Sequence, residues 1–168
     1  INESSEVVKL ISNSGLQDIK IIPIILSVDE EGTEFSLDIL KAMEFDGVIH
    51  LGLSRDSEKI LFERFATNLI SMELPDNSGR VVKGSKILEN APQRIKTTAS
   101  IHNFDEEFEQ DKDVQWSNSA GSYVCNETYF KTLSGLSNST VPVLFIHLPK
   151  MSEISLNRQL EVVSRAIM

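Results

Sequence analysis

Apolar residues recur along this chain at two spacings, and the alternation between them lays out the elements. In NESSEVVKLISNSG, Val7, Val8, Leu10 and Ile11 fall at helical spacing, Asn2 and Ser4 are polar cap candidates, and Gly15 stands just past the end. That combination predicts an amphipathic helix. IKIIPIILSV, from Ile19 to Val28, is a nearly continuous β-branched run and predicts a buried strand, with Pro23 pointing to an edge or a bulge. Thr33 is positioned to cap a helix over EFSLDILKAM, and DGVIHLGLS supplies another short apolar strand. From Asp76 to Pro92 the glycines and polar residues predict mostly loop with short strands.

The second half repeats the alternation. IHNFDEEFEQDKD predicts an exposed acidic helix with Ile101, Phe104 and Phe108 turned inward. VQWS then reads as a strand end and NSAG as a turn, with SYVCNETYFKTL as a helix beginning near Ala120. VPVLFIHLP is a buried strand and MSEISLNRQLEVVSRAI a closing helix. Helices alternating with strands across short loops predict an α/β fold, a three-layer α/β/α sandwich around a mostly parallel mixed sheet.

Composition restricts the partners. The 168 residues, 40% of them hydrophobic, suffice for one core and predict a single domain. The net charge of −9 repels phosphate backbones and anionic membranes, which argues against nucleic acid and membrane partners. A lone cysteine forms no internal disulfide, and no apolar run is long enough to span a bilayer, so the expected setting is reducing and cytoplasmic. The chain opens on Ile1 rather than Met, as the trimmed part of something longer would.

That cysteine, Cys125, falls early in a predicted helix, where backbone amides carry partial positive charge and favour a thiolate. Gly121, four residues earlier, leaves room for a substrate beside the sulfur. The competing reading is a small buried hydrophobe. A thiol nucleophile requires a base, and three histidines are available. His50 alternates with apolar residues as a structural strand histidine does, and His102 opens an acidic, solvated helix. His147 lies at the C-terminal end of a buried strand, the edge where α/β sheets assemble their sites. Glu63 in KILFERFATNLI is a carboxylate in an apolar context, either paired within a site or held in a salt bridge with Arg64.

These segments together resemble the pyroglutamyl peptidase I (pyrrolidone-carboxylate peptidase) family of cysteine peptidases. SNSAGSYVCNETYF is similar to its cysteine signature, Ser-x-x-Ala-Gly-x-Tyr/Phe-x-Cys-Asn. LFERFATNL resembles its Glu-Arg-x-Ala-x-Asn segment, LPDNSG its Ile-Pro-Asp-Asn-x-Gly, and FIHLP its Phe-Ile-His-Val-Pro, all in the same order. The resemblance implies an enzyme that removes N-terminal pyroglutamate from peptides without metal or organic cofactor. Cys125 would be its nucleophile, His147 its base and acid, and Glu63 the orienting carboxylate. Leu53, Glu73, Leu74, Tyr123 and Val124 would fall at substrate-binding positions.

The chain departs from the family pattern in three places. It starts beyond the family's opening strand and loop, Thr-Gly-Phe-x-Pro-Phe-Gly, so the expectation is a single peptidase-like domain over 1–168 without that element. It reads Gly52-Leu53-Ser54 where the family has Gly-Gln-Ala, and Glu73 where the family carries arginine. An exposed Glu73, or one neutralised by Arg64, Arg80 or Arg94, would spare a nearby oxyanion. The alternative is a divergent or inactive relative with the same fold, which binds or hydrolyses another small amide or serves in assembly. A homo-oligomer stays open, and a nucleotide-binding domain lacks its glycine-rich loop.

Overall fold

Strands β1 (Val48–Leu53), β6 (Val143–Leu148), β2 (Ile60–Glu63) and β5 (Val114–Ser117) lie side by side in that order in the central sheet. The β1–β6 and β2–β5 pairs are parallel and the β2–β6 pair is antiparallel. β6 has neighbours on both edges and every one of its residues is buried, which is why VLFIHL is written without a polar alternation. The structure, a computed structural model, describes residues 2–168.

Side-chain alternation along β6 sends its residues into two cores. Leu144, Ile146 and Leu148 join Val7 and Ile11 of α1 (Glu3–Ser14), Phe108 of α3 (Ile101–Phe108), and Val162 and Val163 of α5 (Leu156–Ile167). Phe62 on β2 anchors this core, meeting Phe104, Phe108 and Trp116 edge-on at centroid distances of 5.2, 5.1 and 5.6 Å. On the opposite face Val143 and Phe145 pack against Tyr129, Phe130 and Leu133 of α4 (Val124–Gly135), and α2 (Glu30–Ala42) packs outside α4. Helices thus cover both faces of a mixed sheet, the predicted sandwich. A small antiparallel pair, β3 (Phe65–Thr67) with β4 (Arg94–Lys96), continues directly from β2 and reaches α4.

Several expected boundaries move. Ile19–Val28 is not a strand: apart from a single bridge between Leu16 and Ile19 it joins no sheet among the described residues. Pro23 removes one ladder donor, and Ile22 and Ile25 stand 43% and 57% exposed. Side chains pin this extended run instead, with Ile21 on the first core and Val28 against Ile70, Met72 and Val124. Thr33 does not cap α2. Asp29 does, accepting from the Gly32 N–H at 2.9 Å, while Thr33 lies buried within the first turn. The Asp76–Pro92 segment is loop, with one isolated bridge from Ser85 to Ile70 in place of short strands. α5 begins at Leu156 behind a Ser155 cap, five residues after Met151.

Candidate active site

The sheet order brings together three residues far apart in sequence. Glu63 ends β2, His147 lies near the end of β6, and Cys125 is the second residue of α4. Register explains the first two. β2 and β6 run antiparallel with Glu63 opposite Phe145, so the Glu63 side chain meets the face that His147 shares with Phe145. Nδ1 of His147 donates to Oε1 of Glu63 at 2.7 Å, and Cys125 lies close enough to the imidazole to raise its pKa. Both members of the pair are buried, with side-chain exposures of 11% and 1%.

The electrostatics follow from that line of groups. Burial alone pushes the His147 pKa down, but hydrogen bonds and negative charge from Cys125 and Glu63 outweigh it and raise the pKa to about 9. The imidazolium is therefore the form held at neutral pH, between two groups that favour its charge. Oε2 of Glu63 is buried and has no partner among the described residues. Phe145 packs against the imidazole at 4.6 Å, fixing the ring's other face.

Cys125 is half-buried and sits closer to the helix end than its sequence predicts. The helix starts at Val124 rather than near Ala120, because Gly121 turns the chain with φ 82° and Tyr123 takes the cap position. Gly121 is therefore in the turn and not on the helical face of Cys125. Tyr123 makes no side-chain cap bond, so the first-turn amides of Val124, Cys125 and Asn126 receive no capping acceptor from it. Gly52 closes the site from below. A Cβ there would lie 3.1 Å from the Cys125 Sγ and 2.9 Å from two ring carbons of Phe145.

The remaining sequence candidates surround this centre unequally. Leu53 ends β1, next to Gly52. The Tyr123 hydroxyl donates to the Pro75 carbonyl at 2.9 Å, which holds the Glu73–Pro75 segment against the start of α4. Leu74 is 72% exposed on that segment and Glu73 is exposed beside it. Among the described residues Glu73 makes no ion pair. Arg80 is engaged elsewhere, and Arg64 and Arg94 stack over Trp116 and Phe65. Val124 faces inward against Ile70 and Met72.

His50 and His102 lie outside the cluster. His50 contacts Thr132 Oγ1 at 3.0 Å and stacks on Phe145, with its pKa lowered to about 4 by burial. His102 is 79% exposed. Sequence reasoning gives Gly52 no role of its own and misses the buried polar residues of α4, although Asn126 stands beside the cysteine in the quoted signature.

A buried ion network fastens α4 from behind. Arg80 binds Glu127 Oε2 at 2.6 Å and Asp76 Oδ2 at 2.9 Å, and Lys131 binds Glu127 Oε1 at 3.1 Å and Glu34 Oε1 at 2.5 Å. Burial would raise the Asp76 pKa, but hydrogen bonds from Ser78 and Arg80 hold it down at about 2. Among the described residues no group of three or more His, Cys, Asp or Glu side chains is arranged to hold a metal ion, and no helix is long and apolar enough to cross a membrane.

Known proteins carry the same arrangement of chain. Pyrrolidone-carboxylate peptidase of Thermococcus kodakarensis is 32% identical over 94% of this chain and 78% of its own length. The Pyrococcus furiosus enzyme of that name is 30% identical, over 80% of this chain; the match spans 64% of the relative's length. The crystal structure of pyrrolidone carboxyl peptidase from Fervidobacterium islandicum superposes with a TM-score of 0.91 at 29% identity, covering 99% of this chain and 89% of that one. The pyroglutamyl peptidase family profile matches residues 1–165, and the chain belongs to that family.

Proposed function

We propose that this chain is a cysteine peptidase that removes pyroglutamate from the N-terminus of peptides, with Cys125 as nucleophile, His147 as acid and base, and Glu63 as the orienter. The buried, hydrogen-bonded Glu63–His147 pair, with Cys125 close enough to the imidazole to shift its pKa, carries this reading. The Cys125 thiolate adds to the carbonyl carbon that joins the lactam ring to the next residue, forming a C–S bond and moving charge onto oxygen. First-turn amides of α4 donate to that oxyanion. His147 passes a proton from Nε2 to the leaving amine as the C–N bond breaks, leaving a thioester. Water then gives a proton to His147 while its oxygen adds to the thioester carbonyl. The C–S bond breaks, and pyroglutamate leaves with thiolate and imidazolium restored.

The lactam ring is uncharged, so apolar walls suit it. Leu53, Leu74, Tyr123 and Val124 form them in this reading, with Glu73 at the rim. Exposure of Glu73 keeps its charge solvated, which weakens its opposition to an oxyanion. A free thiol as nucleophile suits a reducing, cytoplasmic setting. The test is release of aminomethylcoumarin from its pyroglutamyl amide. Turnover by the wild-type chain and none by Cys125→Ala is expected; equal release by both overturns the proposal.

A further inference from the structure

Asn126 follows Cys125 and is fully buried, and its side-chain amide behaves as a detached peptide group. Oδ1 accepts from the Thr67 N–H at 2.9 Å, and Nδ2 donates to the Thr67 carbonyl at 2.9 Å and to the Leu69 carbonyl at 2.9 Å. The Thr67 hydroxyl adds a longer contact to Oδ1 at 3.4 Å. A fully used buried amide of this kind fixes geometry, because its three close partners are backbone atoms and none can swing away to follow a displaced side chain.

What it fixes is set by the chain path. Thr67 is four residues beyond Glu63 on the same run of backbone, through β2 and β3. Three residues further along α4, Tyr129 repeats the connection by donating from its hydroxyl to the Glu63 carbonyl at 3.0 Å. The start of α4, with Cys125 on it, is thus tied to the run of backbone from Glu63 to Leu69, once through Asn126 and once through Tyr129.

We propose that Asn126 is a positioning residue that sets the placement of Cys125 relative to the Glu63–His147 pair by bonding the first turn of α4 to Thr67 and Leu69. This rests on the triad reading above. Asn126→Asp keeps the size and one acceptor but turns the Nδ2 donor into an oxygen facing two carbonyls. Asn126→Ser removes the amide donor altogether and serves where the aspartate variant does not fold.

Three readouts apply to whichever variant folds: turnover of the pyroglutamyl coumarin amide, thermal melting, and the rate of Cys125 alkylation by uncharged chloroacetamide from pH 5.5 to 9.5. The expected result is a kcat at least 10-fold lower with KM within 2-fold. The alkylation profile should move toward that of His147→Ala. A profile that coincides with the wild type, with kcat loss explained by lower melting alone, overturns the proposal. Alkylation needs no substrate. A chain that cleaves no pyroglutamyl amide, which defeats the peptidase reading, therefore still reveals through its alkylation profile whether Asn126 places the sulfur.

Discussion

Nδ1 of His147 sits 2.7 Å from Oε1 of Glu63, and the second oxygen of that carboxylate is buried without a partner among the described residues. In the proposed triad a carboxylate so placed orients the ring and holds its positive charge. Glu63→Gln preserves shape and removes the charge. Turnover should fall by roughly 10- to 1000-fold with little change in KM. Loss of the Glu63 contribution also lowers the His147 pKa from about 9. The alkaline limb of kcat, where the leaving amine loses its acid, should therefore move to lower pH in the variant. A kcat profile that superposes on the wild type would return Glu63 to a structural role.

His147 and the half-buried His50 make opposite contributions to stability. His147 is raised from 6.5 to about 9, so its stabilisation is complete below pH 6.5 and disappears as pH rises through 9. His50 is lowered to about 4, so the unfolded chain binds its proton first on acidification. The stability lost between pH 6.5 and 4 from His50 alone should be roughly 3 kcal/mol. Urea unfolding across pH tests both signs: His147→Ala should flatten the alkaline slope and His50→Gln the acid slope.

Gly52→Ala tests the floor of the site. The new methyl must meet the Phe145 ring at 2.9 Å and the Cys125 sulfur at 3.1 Å, and a well-packed core accommodates such overlap only by moving one of them. Destabilisation of about 1–3 kcal/mol is expected, together with a larger relative loss of turnover than of melting temperature. Unaltered kinetics in a stable variant would mean that the sulfur tolerates displacement.

Arg80 neutralises two buried carboxylates, Asp76 and Glu127, and its removal leaves both with less compensation. Arg80→Ala should cost about 3–5 kcal/mol, which chemical denaturation measures directly. Reduced turnover should accompany it, since the same guanidinium joins the Asp76 turn to α4.

Segments whose burial follows from their own periodicity are legible in the sequence: α1, the inward face of α3, and β6, apolar apart from His147. The catalytic candidates are legible through type and surroundings, a carboxylate among phenylalanines and a histidine closing an apolar strand. Ile19–Val28 misleads because strand formation requires a partner, and β-branched composition reports only suitability for one. The start of α4 misleads because Ala120 and Tyr123 are equally plausible beginnings until the Gly121 turn separates them. Asn126 and Glu127 give no local sign of their burial, since polar type normally signals exposure. That burial depends on Thr67 and Arg80, which lie 59 and 47 residues away.

Chain order gives the antiparallel meeting of β2 and β6 a further meaning during biosynthesis. Glu63 and Cys125 are both polymerised before His147, which precedes α5. A ribosome-bound chain that stops short of β6 therefore displays its thiol without the imidazole proposed to activate it. The proposed chemistry would begin only once β6 has slotted between β1 and β2, two strands already made. A timed pulse of alkylating agent during translation would date that insertion, with the protein's own sulfur as the clock.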